Sequence, residues 1–105
     1  IQSQVITGHV GNAAAVPQMR AAGFTVAAVP TVLFSNHPGH GRFRGRPTDP
    51  ELVADLLLGL EEHGVLTETV AIVSGYLGSA QTGRAVAAFG ARRRLPRSVS
   101  HCSVA

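Results

Sequence analysis

The sequence predicts an α/β domain, a mostly parallel sheet with helices packed on it. Two observations carry that expectation. Strand-like and helix-like segments alternate along the chain, and the strand-like ones are continuous apolar runs, as fits strands buried on both faces. A third is the helical spacing of Leu52, Val53, Leu56, Leu57 and Leu60, which reads as one buried stripe.

Taken in order, residues 1–6 are β-branched and partly alternating, a short strand that runs into the glycine-punctuated turn Gly8-His9-Val10-Gly11-Asn12. Asn12 is the expected N-cap of a helix over residues 13–22, with Gly23 as its stop. Residues 24–29 and 31–35 read as two apolar strands separated by Pro30. The segment 36–41, rich in Gly and Pro, reads as a loop, and residues 42–46 as an edge strand. Thr48 or Asp49 then caps a helix over residues 51–62, with Pro50 in its first turn. A buried strand over 69–74, a turn over 75–79 and a helix over 80–89 follow. From about Gly90 the pattern stops. Residues 91–105 have no amphipathic period and no strand signal, so the sheet is expected to be unfinished there.

Composition narrows the class. The chain has 105 residues, 45% hydrophobic and 14% charged, enough apolar material for a modest core. The apolar run over 21–36 is broken by Pro30 and too short for a membrane span, and residues 1–12 lack a secretory pattern. No membrane partner and a cytoplasmic location are therefore expected. A lone Cys102 offers neither an intrachain disulfide nor a cysteine zinc site. The net charge of +3 is unevenly placed: residues 1–90 carry −1, and residues 91–105, with Arg92, Arg93, Arg94 and Arg97 and no acid, carry +4. Basicity confined to a tail argues against a nucleic-acid-binding face.

Single motifs leave alternatives open. The turn 8–12 could face an anion or polar ring, or simply be the tight turn a strand–helix junction needs; it is neither a dinucleotide fingerprint nor a P-loop. His37 and His40 have an H-x-x-H spacing, but no third ligand lies near in sequence, so no metal site is expected. Arg42, Arg44 and Arg46 alternate, which suits a phosphate-facing strand or a charged edge that resists aggregation. Serine-nucleophile chemistry has no support around Ser74-Gly75 or Ser79.

The order of the motifs is more specific than any one of them. Ile1-Gln2-Ser3, then Gly8-His9-Val10-Gly11-Asn12-Ala13-Ala14-Ala15, then Val32-Leu33-Phe34-Ser35-Asn36-His37, then Ser74-Gly75-Tyr76-Leu77-Gly78-Ser79 resembles the amino-terminal part of pyridoxal kinases, in the ribokinase-like superfamily. The resemblance covers about residues 1–89 and stops in the tail. It implies a partial three-layer α/β/α sandwich with a small flap, and ATP- and Mg²⁺-dependent phosphorylation of the 5′-hydroxymethyl group of pyridoxal and related B6 vitamers, in proteins that are homodimers. It also implies that Ser3 hydrogen-bonds the pyridine ring, that Val10, Val32 and Phe34 line its pocket, that Tyr76 covers it, and that His37 is the histidine of Ser-Asn-His. An apolar slot with a few placed polar groups is what such a ring requires.

The sequence departs from that pattern at Pro38, where many members carry threonine, and at Gln4, where histidine is common. The Gly-Thr-Gly-Asp motif, which stabilises the transferring phosphate and activates the hydroxyl, has no counterpart, and there is no lysine. The expectation is a fragment, inactive alone, with residues 1–90 as the kinase-like part and 91–105 as an Arg-rich, aberrant tail such as an out-of-frame reading would produce. A hydroxymethylpyrimidine-type kinase and a non-catalytic binding fragment are the alternatives.

Overall fold

The structure, a computed structural model, describes residues 1–92 and 97–99. Its elements are β1 (Gln2–Val5), α1 (Asn12–Ala21), β2 (Pro30–Phe34), β3 (Gly45–Pro47), α2 (Pro50–Glu62), α3 (Val65–Glu68), β4 (Ile72–Ser74), α4 (Ala80–Ala91) and β5 (Arg97–Val99), with a 3-10 turn at Pro38–His40. The α/β class is as expected.

Strand β1 pairs parallel with β2, β4 pairs parallel with β5, and β3 lies antiparallel to β2. Two bonds join these ladders: the Ile1 amine donates to the Val73 carbonyl at 2.8 Å, and the Gly75 amide donates to the Ile1 carbonyl at 3.1 Å. That is the pattern of one parallel step, with Ile1 opposite Ser74. The strands therefore run in the order β5-β4-β1-β2-β3. From β1 the chain passes through α1 to β2 on one side; from β4 it passes through α4 to β5 on the other. Right-handed crossovers place α1 and α4 on opposite faces. Helix α1 packs on β1, and α2 lies against α4. The core sits beneath that second pair: Val29, Val53, Leu57, Leu66, Ile72, Val86 and Phe89 are buried together, with Ile1, Leu60 and Leu77 at the margin.

Local signals explain the helix boundaries. Asp49 Oδ1 accepts from the Glu51 amide at 2.9 Å and starts α2, and Ser79 Oγ accepts from the Thr82 amide at 3.1 Å and starts α4. Gly23, at φ +96°, follows the end of α1.

Several expectations are corrected. Residues 24–29 form no strand. Only the Val29 carbonyl reaches the sheet, accepting from the Gln2 amide at 3.2 Å, while Phe24 is 55% exposed. The segment is the return path from α1, and Pro30, lacking an N–H, opens β2 where the lost donor costs least. The edge strand is shifted from 42–46 to Gly45–Pro47, so the three arginines do not share it. A Cβ at Gly45 would strike the Leu33 carbonyl oxygen, and this close approach sets where pairing begins. Asn12 does not cap α1; Gly11 takes that place, and the Asn12 amide donates to the Gln2 and Val29 carbonyls at 3.3 and 3.5 Å. The stripe on α2 is narrower than its periodicity suggested, with Val53 and Leu57 buried but Leu52 and Leu56 at 49% and 41% exposure. Finally, Arg97–Val99 supplies a strand where the pattern along the chain signalled none, paired with β4. Arg93, Arg94 and Cys102 lie outside the described residues.

Candidate functional site

The sheet changes direction between β1 and β4, since their following helices leave toward opposite sides. In open α/β sheets ligands bind outside the carboxyl ends of the strands at such a point. Two turns flank it here, residues 8–11 after β1 and 75–79 after β4. The end of β2 lies on the far side of β1.

The first turn rests directly on Ser3. A Cβ at Gly11, which has φ +57°, would overlap the Ser3 carbonyl oxygen and Oγ, so only glycine brings the chain this near. Val10, in the same turn, is half-buried. Ser3 is also half-buried, which leaves part of it accessible.

The second turn is held from two sides. Gly75 lies against the buried Gln2 side chain, whose Oε1 occupies the space a Cβ would need, and Gly78, at φ +83°, sits over β2, where a Cβ would come 3.5 Å from Val32 Cγ1. Between them the Tyr76 carbonyl accepts from Thr31 Oγ1 at 2.6 Å, while its side chain belongs to a residue 48% exposed.

The end of β2 meets Arg42-Phe43-Arg44-Gly45, the aromatic and basic segment that the resemblance puts at the flap. Phe34 is opposite Val5 in the parallel register, and its ring tilts against Phe43 with centroids 5.0 Å apart. The Ser35 amide donates to the Arg44 carbonyl at 2.7 Å, and the Arg44 amide to Ser35 Oγ at 2.9 Å. An open hollow of about 880 Å³ is lined by Ser35, Gly41, Arg42, Phe43 and Arg44. His37 is buried, and its Nδ1 accepts from the Gly39 amide at 2.9 Å, so that nitrogen shapes its own loop. Among the described residues no three His, Cys, Asp or Glu side chains gather as a metal site.

Of the residues singled out from sequence, Ser3 lies under Gly11, the residue that follows Val10, and Val32 and Tyr76 are linked through Gly78 and Thr31. Phe34 faces the flap, and His37 is turned into its loop. Sequence reasoning missed the roles of Gln2 and Thr31, polar residues in strands; a buried polar group inside an apolar run is the signal that marks Thr31.

No family model matches the chain. It is 49% identical over 86 residues to the pyridoxal kinase PdxY of Deinococcus radiodurans, covering 82% of this chain and 29% of that one. To PdxY of Pseudomonas aeruginosa it is 43% identical over 104 residues, covering 97% of this chain and 36% of the relative, so the likeness runs past residue 89, where it was expected to stop. The structure superposes on pyridoxal kinase from Leishmania donovani in complex with ADP with a TM-score of 0.82 at 35% identity, over 88% of this chain and 33% of that one. That kinase is also solved with ADP and pyridoxamine. The chain spans about a third of the length of the relatives it matches. Among its described residues no helix is long and apolar enough to cross a membrane.

Proposed function

We propose that this chain, a segment akin to the pyridoxal kinases, forms the vitamer-binding portion of an ATP-dependent kinase acting on the 5′-hydroxymethyl group of pyridoxal and related B6 vitamers. One observation carries the reading: both glycine turns, 8–11 and 75–79, rise beside the point where the sheet changes direction, with Ser3 at the base of one and Tyr76 in the other. In this reading the Ser3 and Tyr76 hydroxyls bond to polar substituents of the ring, as each can both donate and accept. Val10 and Phe34 supply apolar walls, Val32, fully buried, supports them from the core instead of touching the ring, and Phe43 carries the flap toward them. His37 holds the loop that joins β2 to the flap.

The transfer step belongs to the remainder of a full-length protein. Phosphoryl transfer depends on positioning and on stabilising charge at the phosphate. The chain contains no lysine, and its described carboxylates form no cluster that fits Mg²⁺, so no step is assigned to the metal here. We assign nucleotide and Mg²⁺ binding, and a homodimeric cytoplasmic form, to the complete kinase; residues 1–90 are the part that grips the vitamer.

Tyr76 provides the test, being the single tyrosine in a chain without tryptophan. Titration with pyridoxal should quench its emission saturably, with pyridine as a non-binding control. Incubation with pyridoxal, ATP and Mg²⁺ should yield no catalytic pyridoxal phosphate. Absence of saturable quenching would refute vitamer binding, and turnover would refute the assignment of catalysis to other polypeptide.

A further inference from the structure

We propose that Thr31 is a positioning residue whose buried hydroxyl fixes the Tyr76 turn over the pocket. The functional consequence rests on the reading just given; the structural clamp does not. Thr31 is only 1% exposed, the second residue of an otherwise apolar strand. Its Oγ1 donates to the Tyr76 carbonyl at 2.6 Å across 45 residues of sequence. A polar side chain is kept in such a place only when it is hydrogen-bonded, and here the partner is the backbone of the one residue expected to cover the vitamer.

The bond acts at the residue between the turn's other anchors. Tyr76 is half exposed, so burial of its ring is only partial. The turn is otherwise anchored on either side of Tyr76: the Gly75 amide donates to Ile1, and Gly78 lies against Val32 and the Thr31 carbonyl oxygen. That same carbonyl accepts from the Thr48 amide at 2.9 Å, while Thr48 Oγ1 donates to the Pro30 carbonyl at 2.9 Å. Residues 30 and 31 therefore hold the base of the flap through their carbonyls and the covering turn through the Thr31 hydroxyl. The flap base and the Tyr76 turn are thus both held by the first two residues of β2.

The experiment compares T31V, which keeps shape and loses the hydroxyl, with T31S, which keeps the hydroxyl. Two readouts are taken on the full chain: time-resolved fluorescence anisotropy of Tyr76, and pyridoxal affinity by quenching. T31V should show faster anisotropy decay and about tenfold weaker affinity, the usual effect of removing one buried hydrogen bond. T31S should stay within about twofold of wild type in affinity and retain the slow decay. Unchanged anisotropy and affinity in T31V would overturn the proposal, as would T31S behaving like T31V, since packing rather than the hydroxyl would then be responsible. A wild-type chain that fails to bind pyridoxal sinks the functional reading, and the anisotropy arm still decides the role of Thr31. Should T31V not fold, NMR of the wild-type Thr31 hydroxyl proton decides instead: protection from water exchange supports the clamp, and rapid exchange overturns it.

Discussion

Replacing Gly11 with alanine tests the close approach that builds the site. Two costs follow from the structure. Gly11 has φ +57° and ψ −136°, a backbone conformation that only glycine adopts readily and that costs a residue with a Cβ about 1–3 kcal/mol. The added methyl would also strike the carbonyl oxygen and Oγ of Ser3, with the Ser3 carbonyl carbon at 2.9 Å. These are mostly backbone atoms of a paired strand and cannot rotate away, so the turn must lift, at about 2 kcal/mol more. Gly23 is the internal reference: its φ is +96°, yet nothing lies within 4 Å of its absent Cβ. G23A should incur the backbone cost alone. A difference of about 2 kcal/mol corresponds to a gap of about 10 °C in Tm for a domain this size. Thermal unfolding followed by circular dichroism measures it, and pyridoxal quenching of Tyr76 should weaken in G11A while remaining normal in G23A. Equal melting temperatures for the two variants would refute the claim that Gly11 is held against Ser3.

The buried face of α2 gives a second prediction: L57A, whose side chain is enclosed, should lose about 3 kcal/mol, while L56A, one residue away and 41% exposed, should lose well under half of that, as chemical denaturation of both will check. The Ile1 amine gives a third. Burial pushes its pKa below the ordinary value, so the unfolded chain binds that proton more readily than the folded one. Stability should therefore rise with pH from the lowered folded value to the ordinary value near 8.0 and then level off. An α-acetylated chain, which still has an N–H for the Val73 carbonyl, should lack that rise; identical pH profiles would refute it.

How much was legible depended on the range of the interaction. Helix ends were readable because their determinants are neighbours in sequence: Asp49 and Ser79 bond to amides two and three residues on, and Gly23 supplies its own conformation. The α/β class and the motif order were readable for the same reason, since both are patterns along the chain. Ser3, Val10 and Tyr76 could be nominated from those motifs, but nothing local said that Gly11 lies on Ser3 or that Tyr76 hangs from Thr31.

Strands and faces required the fold. Residues 24–29 are as apolar as any strand here, yet strand identity is conferred by a partner in register, and only Val29 reaches one. Arg97–Val99 has no strand pattern and becomes a strand because β4 offers it an open edge. Leu52 and Leu56 satisfy helical periodicity as well as Val53 and Leu57 do, but α4 covers only part of that arc. The sequence alone determined where α2 and α4 start, where α1 stops and which turns are glycine-built, because those energies act within a few residues. Which strands pair, which leucines are dry, and that one threonine hydroxyl spans 45 residues to a tyrosine carbonyl were decided by tertiary structure, because hydrogen bonds and burial depend on distance in space.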